Sequence, residues 1–112
     1  MPIRAQLTHV GIYVRDLPRM ETFYTQVLGL VVTDKGTSSR GDMRLTFLSA
    51  SPTVHHQLVL VSGRPEDARF STVNQVSFTV ASLDELREVH RRADPGFRSH
   101  AEWSREQAAR LA

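Results

Sequence analysis

The sequence predicts an α+β fold in which a βαβββ module is followed by a partial second module of one strand and one helix. Two observations point to this fold. The stretch 6–14 alternates in polarity as a strand does, and an apolar stripe with helical spacing follows over 18–28. The same order of strand and helix returns over 73–80 and 82–92. We therefore expect two related β-α beginnings, of which only the first continues into a full module.

Length and composition limit the class of protein. With 112 residues, 40% of them hydrophobic and 23% charged, the chain is typical of one globular domain, which we place at 5–112. The net charge of +2 comes from scattered basic residues, so we expect no nucleic-acid partner. No apolar run approaches the ~20 residues of a membrane span, and the start does not resemble a signal peptide. The absence of cysteine excludes disulfides and thiolate metal sites, and it fits a cytoplasmic location.

The first predicted strand, 6–14, has two unlike faces. The apolar face, which needs a core, consists of Val10, Ile12 and Val14. The opposite face suits the wall of a cavity better than bulk water, and it consists of His9, Gly11 and Tyr13.

The first helix follows over 18–28. Asp16 is a good N-cap, and Pro18 is tolerated in the first turn, where its missing N–H has no partner to lose. Gly29 suits the position that ends the helix. Its apolar stripe consists of Met20, Phe23, Tyr24, Val27 and Leu28.

Three further strands complete the module at residue 62; they are predicted over 30–34, 43–48 and 54–61. The last contains His55, His56 and Gln57. By alternation, His56 falls on the face of Leu58 and Leu60 that packs toward the helix, and its two neighbours fall on the opposite face. A one-residue slip or a bulge would exchange these faces.

A polar linker over 63–72 leads to the partial second module, 73–112. Ser82 and Glu85 form a capping box at the start of its helix. When the second module is aligned in sequence with the first, His9 matches Gln75 and the apolar positions of the two helices match each other. The end of the chain, 97–112, reads as a short amphipathic helix.

The opening of the chain resembles the vicinal oxygen chelate superfamily, which includes glyoxalases, bleomycin-resistance proteins and extradiol dioxygenases. The resemblance covers about 5–98 and is carried by four motifs. These are His9-Val10-Gly11-Ile12-Tyr13-Val14-Arg15-Asp16-Leu17, Phe23-Tyr24, Leu28-Gly29-Leu30 and His55-His56-Gln57-Leu58-Val59-Leu60-Val61. The last of these motifs, followed by Asn74-Gln75-Val76-Ser77-Phe78, looks most like the glyoxalase/dioxygenase type.

The resemblance implies a glyoxalase/dioxygenase-like fold whose sheets form a cup around one divalent metal, Fe(II) or Mn(II) first, with Zn or Ni as alternatives. His9 matches the usual ligand of the first strand, and Gln75 takes the equivalent position in the second module. Gln57 is the nearest match to the ligand of the fourth strand, and His56 is a further ligand candidate. The alternative for Gln57 and Gln75 is that they are polar residues lining the cavity. Among the remaining candidates, we expect catalytic roles for His55, as an acid–base group, and for Tyr13, as a donor to a bound oxyanion. The alternatives are that His55 and His56 form an exposed pair at the strand entry and that Tyr13 packs at the rim of the cup.

The sequence departs from the family pattern after the second helix. The pattern continues there with three more strands and a ligating Glu, which residues 97–112 do not supply. The second module therefore reads as C-terminally truncated. Three interpretations stay open. The chain is a metal-dependent oxidoreductase or lyase acting on a small aromatic or vicinal-oxygen substrate, a metal-free module that binds a small molecule, or an inactive fragment. Because a missing half leaves sheet edges uncovered, we expect a homodimer.

Overall fold

A computed structural model describes residues 1–93. The chain divides into two compact units, Met1–Val76 and Ser77–Ala112, which we describe separately. Among the described residues, no helix combines the length and apolar character needed to cross a bilayer.

The first unit contains a four-stranded mixed sheet. Its strands are β1 (Val10–Val14), β2 (Val31–Thr37), β3 (Arg44–Ser49) and β4 (Leu58–Ser62). They are ordered β1-β4-β3-β2 across the sheet. β1 runs parallel to β4, and the other two neighbouring pairs are antiparallel. The βαβββ order and the α+β class predicted from the sequence are confirmed.

The helix between β1 and β2 begins as predicted but changes its winding. Helix α1 (Leu17–Thr22) is capped by Asp16, whose Oδ1 accepts a hydrogen bond from the Arg19 backbone N–H at 3.0 Å. A π-helical turn, Phe23–Val27, continues it. Gly29 then adopts a φ of +73°, a left-handed conformation that favours glycine at a helix end.

The core lies between α1 and one face of the sheet. Leu48 and Leu60 are completely buried on that face, and Leu17 and Tyr24 cover them from the helical segment. The predicted stripe of the helix therefore buries apolar area against the sheet, which is the main source of stability for such a small unit. The remaining core members are Val14, Leu30 and Leu58, with Ile12, Met20, Leu28 and Val32 packed at the margin.

A polar link also joins α1 to the sheet. The buried Thr46 donates its hydroxyl hydrogen to Glu21 Oε2 at 3.1 Å, and Glu21 Oε1 lies 3.1 Å from Lys35 Nζ. The only buried hydroxyl of β3 on this face is thus paired with a carboxylate that has its own cation. This pairing avoids the cost of a buried polar group without a partner.

Two strands begin four residues later than predicted. β1 begins at Val10 rather than at residue 6, and β4 begins at Leu58 rather than at residue 54. The reason is that Val10 pairs with Leu58, so the parallel ladder starts at these two residues. Residues 6–9 and 54–57 belong to no strand.

The second unit is described over 77–93 and contains helix α2 (Leu83–Ala93), as predicted. The capping box forms: Ser82 Oγ accepts from the Glu85 N–H at 3.1 Å, and Glu85 Oε2 accepts from the Ala81 N–H at 2.9 Å. Residues 73–80 were predicted to form a strand, but within residues 1–93 they pair with no other segment as a strand. The helix predicted within 97–112 lies outside the described residues.

Candidate functional site

The sheet has one face against α1 and one face away from it, which we call the far face. Thr46 and Leu48 of β3 are buried toward α1, so Phe47 between them lies on the far face. The strand register places Val59 beside Phe47 and Gly11 beside Val59. These residues form a row across the far face. Its β1 end is Gly11, which has no side chain.

Three histidines meet beside this row, just before the starts of β1 and β4; we call His9, His55 and His56 the histidine cluster. The ring centroid of His56 lies 4.5 Å from that of His9 and 5.1 Å from that of His55. It also lies 5.0 Å from the Phe47 ring. The cluster forms because β1 and β4 are parallel neighbours, so the residues that precede the two strands lie at the same end of the sheet.

The position of His56 corrects the prediction that it faces the helix. Its ring contacts Phe47, which lies on the far face. Alternation counted back from Leu58 fails because residues 55–57 precede β4 and do not follow its pleat. His56 thereby joins His9, which is the neighbour that a ligand role would require.

Hydrogen bonds hold one nitrogen of each ring in the cluster. His9 Nδ1 lies 2.9 Å from Thr8 Oγ1, and His55 Nδ1 lies 2.8 Å from His56 Nδ1. Within residues 1–93, the Nε2 atoms of His9 and His56 have no hydrogen-bond partner. Each of these two rings therefore keeps one nitrogen available to a ligand or metal.

The electrostatics of the cluster favour a neutral His56. Loss of solvation lowers the pKa of His56 below its usual 6.5, and the nearby His9 and His55 lower it further, because a second positive charge there would be repelled. The ring is therefore neutral at neutral pH, which is the state in which imidazole binds a metal ion.

Gln57 lies beside the cluster in sequence but serves the turn between β3 and β4. Its Oε1 accepts a hydrogen bond from the Ala50 N–H at 2.9 Å. Its backbone N–H donates to the Leu48 carbonyl, and its own carbonyl accepts from Val10. The side-chain oxygen that a metal would need is thus engaged in closing the turn.

Tyr13 and Gln75 are brought together elsewhere, at a cavity of about 690 Å³ along the edge of β1, which we call the β1 cavity. No member of the histidine cluster is among the described residues that line it. Tyr13 follows His9 by four positions, about 13 Å in extended chain. Tyr13 therefore reaches a different part of the molecule from the cluster.

The sequence analysis assigned no role to the three arginines that line the β1 cavity. Arg64 is half-buried, lines the cavity and donates to the Ala68 carbonyl at 3.3 Å. Arg15 and Arg19 line it too. The sequence signal for these two is their position at the start of α1, where the helix dipole disfavours positive charge.

The fit of a metal to this unit is partial. Within residues 1–93, no three His, Cys, Asp or Glu side chains are arranged to hold a metal ion. The histidine cluster offers imidazole nitrogens without a carboxylate. It therefore fits as two ligands of a site and does not complete one.

Comparison with known proteins agrees with the fold. The family model described as Glyoxalase/Bleomycin resistance protein/Dioxygenase superfamily matches residues 6–96, which is most of the chain. The Uncharacterized protein YwbC of Bacillus subtilis (strain 168) is 34% identical over 58 residues, which cover 52% of this chain and 46% of that protein. The chain thus spans about half the length of the curated relative it matches. On the family match and the βαβββ module together, the chain belongs to the glyoxalase/bleomycin resistance protein/dioxygenase superfamily.

Proposed function

We propose that the chain is the metal-binding part of an enzyme that acts on a small molecule with two adjacent oxygens, and that His9 and His56 supply two of the metal ligands. One observation carries this proposal. Two rings 4.5 Å apart each keep Nε2 available while Nδ1 is held by a neighbour. Metal-binding histidines in proteins are commonly oriented by such a bond to the other ring nitrogen.

The family and the donor type agree with a divalent transition metal. Neutral imidazole suits iron, nickel and zinc, and Mn(II) accepts it alongside oxygen ligands. An ion bound there would supply Lewis-acid activation of two substrate oxygens. The remaining ligands have to come from outside the histidine cluster, since the cluster contains no carboxylate. Gln57 and Gln75 remain predicted ligands without geometric support, because one closes a turn and the other lines the β1 cavity.

The chain's own residues have separate tasks in this proposal. His55 holds the Nδ1 side of His56 and so orients the ring, and it is the acid–base candidate because it can exchange that proton. Phe47 packs against both His55 and His56. The catalytic role of Tyr13, a small-molecule substrate and a homodimer remain predictions.

Calorimetric titration of the full chain tests the proposal, with Zn(II) and Mn(II) in air and Fe(II) without oxygen. We expect one equivalent to bind, and His9→Ala and His56→Ala each to weaken binding by about tenfold or more, since loss of one ligand is worth at least that factor. His90→Ala, on α2, is the matched control and should change nothing.

Two results would contradict the proposal. One is wild-type protein that binds no metal under these conditions, which would favour the metal-free binding module. The other is a loss of binding in His90→Ala equal to that in His9→Ala, which would indicate surface histidine binding. Circular dichroism of each variant must match the wild type, so that loss of fold is not counted as loss of a ligand.

A further inference from the structure

The β1 cavity is separate from the histidine cluster and has the dimensions of a small-molecule site. Its volume of about 690 Å³ falls within the ~300–1,000 Å³ of typical ligand pockets. It lies in the first unit, between the edge of β1, the helical segment and residues 71–76. Ile12 and Val14, which line it, belong to the strand face that packs on α1.

One wall of the β1 cavity is apolar and aromatic. Phe23 and Tyr24 line it from the π-helical turn, with Met20 beside them. The two rings meet edge to face, with centroids 5.2 Å apart. Phe23 keeps 40% of its surface exposed, although it belongs to the apolar stripe. A flat apolar ligand would cover that surface, and aromatic rings pack favourably in offset or edge-on geometry.

The remainder of the wall carries an excess of positive charge. Arg15 donates to the carbonyl oxygens of Glu66 and Ala68, and Arg64 donates to that of Ala68, so protein carbonyls hold both guanidinium groups. The guanidinium of Arg19 makes no hydrogen bond or ion pair with any residue in 1–93. Among the described residues that line the cavity, Asp16 is the one acidic residue, and its Oδ1 already caps α1.

We propose that the β1 cavity binds a small aromatic carboxylate, with its ring against Phe23 and its carboxylate on Arg19. A guanidinium presents parallel N–H donors that match the two oxygens of a carboxylate. The aromatic wall and the unpaired cation thus select the two halves of one ligand. This binding does not depend on a metal or on the histidine cluster.

Benzoate and its neutral analogue benzamide test the proposal with the full chain, by chemical-shift titration in the presence of a chelator. We expect benzoate to bind in the millimolar range or better and benzamide to bind about tenfold more weakly, because it lacks the charge that Arg19 pairs with. Arg19→Gln should remove this preference and leave benzamide unchanged. Phe23→Ala should weaken both ligands, since both lose the aromatic contact.

The matched control is Arg40→Gln, an exposed arginine in the loop between β2 and β3, which should bind benzoate like the wild type. His9→Ala should also bind benzoate normally, so failure here is distinguishable from failure of the metal proposal. Equal affinity of the wild type for the two ligands would overturn the proposal. So would equal weakening in Arg19→Gln and Arg40→Gln, or shift changes that spare the residues of the cavity.

Discussion

Leu60→Ala tests whether the sheet and α1 share one packed core. Leu60 has no exposed surface, and it lies on the interior strand β4 between Ile12 of β1 and Thr46 of β3. Removing its isopropyl group forfeits about 2 to 2.5 kcal/mol of transfer free energy. The cavity left behind raises the expected loss to about 3–4 kcal/mol, because neighbours on a hydrogen-bonded sheet collapse only in part. That loss is a large fraction of the ~5–10 kcal/mol that stabilises a small domain.

Urea unfolding monitored by methyl NMR measures this loss, with the signals of Leu48 and Leu58 as reporters because both belong to the first unit. Val31→Ala is the control. Val31 lies on β2 with 64% of its surface exposed, so its truncation should cost less than about 0.5 kcal/mol. A change below about 1 kcal/mol for Leu60→Ala, with an unchanged dependence on urea, would refute the packing argument.

Two further predictions concern the helices. Asp16→Ala should lower the free energy of unfolding by about 1 kcal/mol, because the Arg19 N–H loses its cap. Asp16→Asn should retain most of that stability, because its side-chain oxygen can still accept the hydrogen bond. Equal losses for the two variants in urea unfolding would contradict the capping role. In α2, hydrogen bonds from Arg91 and then Arg92 lower the pKa of Glu88 from 4.5 to about 2, so its support of the helix is present above pH 4.5 and is lost as the pH falls through about 2. A carboxyl NMR titration of the double variant Arg91→Gln/Arg92→Gln should return the pKa toward 4.5, and a wild-type value already near 4.5 would rule out the pairing. Since the pair is exposed, its effect on stability is small and decreases with added salt.

Much of the fold was predictable because it depends on local patterns in the sequence. The spacing of Met20, Tyr24 and Leu28 predicts a helix with one buried face, and these residues do pack on the sheet. Asp16 marks the start of the helical segment through its side-chain cap, and Gly29 marks the end through its positive φ; both effects act within a few residues. The bounds of β1 and β4 were not predictable in the same way, because a strand ends where its neighbour ceases to pair.

The site was predictable by residue type and less so by position. The chemistry of imidazole singled out His9, His55 and His56, but the face assigned to His56 was wrong because it precedes the ladder. Gln57 and Gln75 have suitable oxygens, yet the first closes a turn and the second lines the β1 cavity. Neither outcome follows from a count of positions along a strand.

The sequence by itself determined the βαβββ order of the first unit, because apolar spacing and capping residues act within a few positions of one another. It also determined the superfamily, through the motifs that begin at His9. Only the tertiary structure decided that His9 and His56 meet and that Arg19 lines a cavity with Phe23. Those encounters depend on strand order and register, which join residues far apart in the chain and leave no local pattern to read.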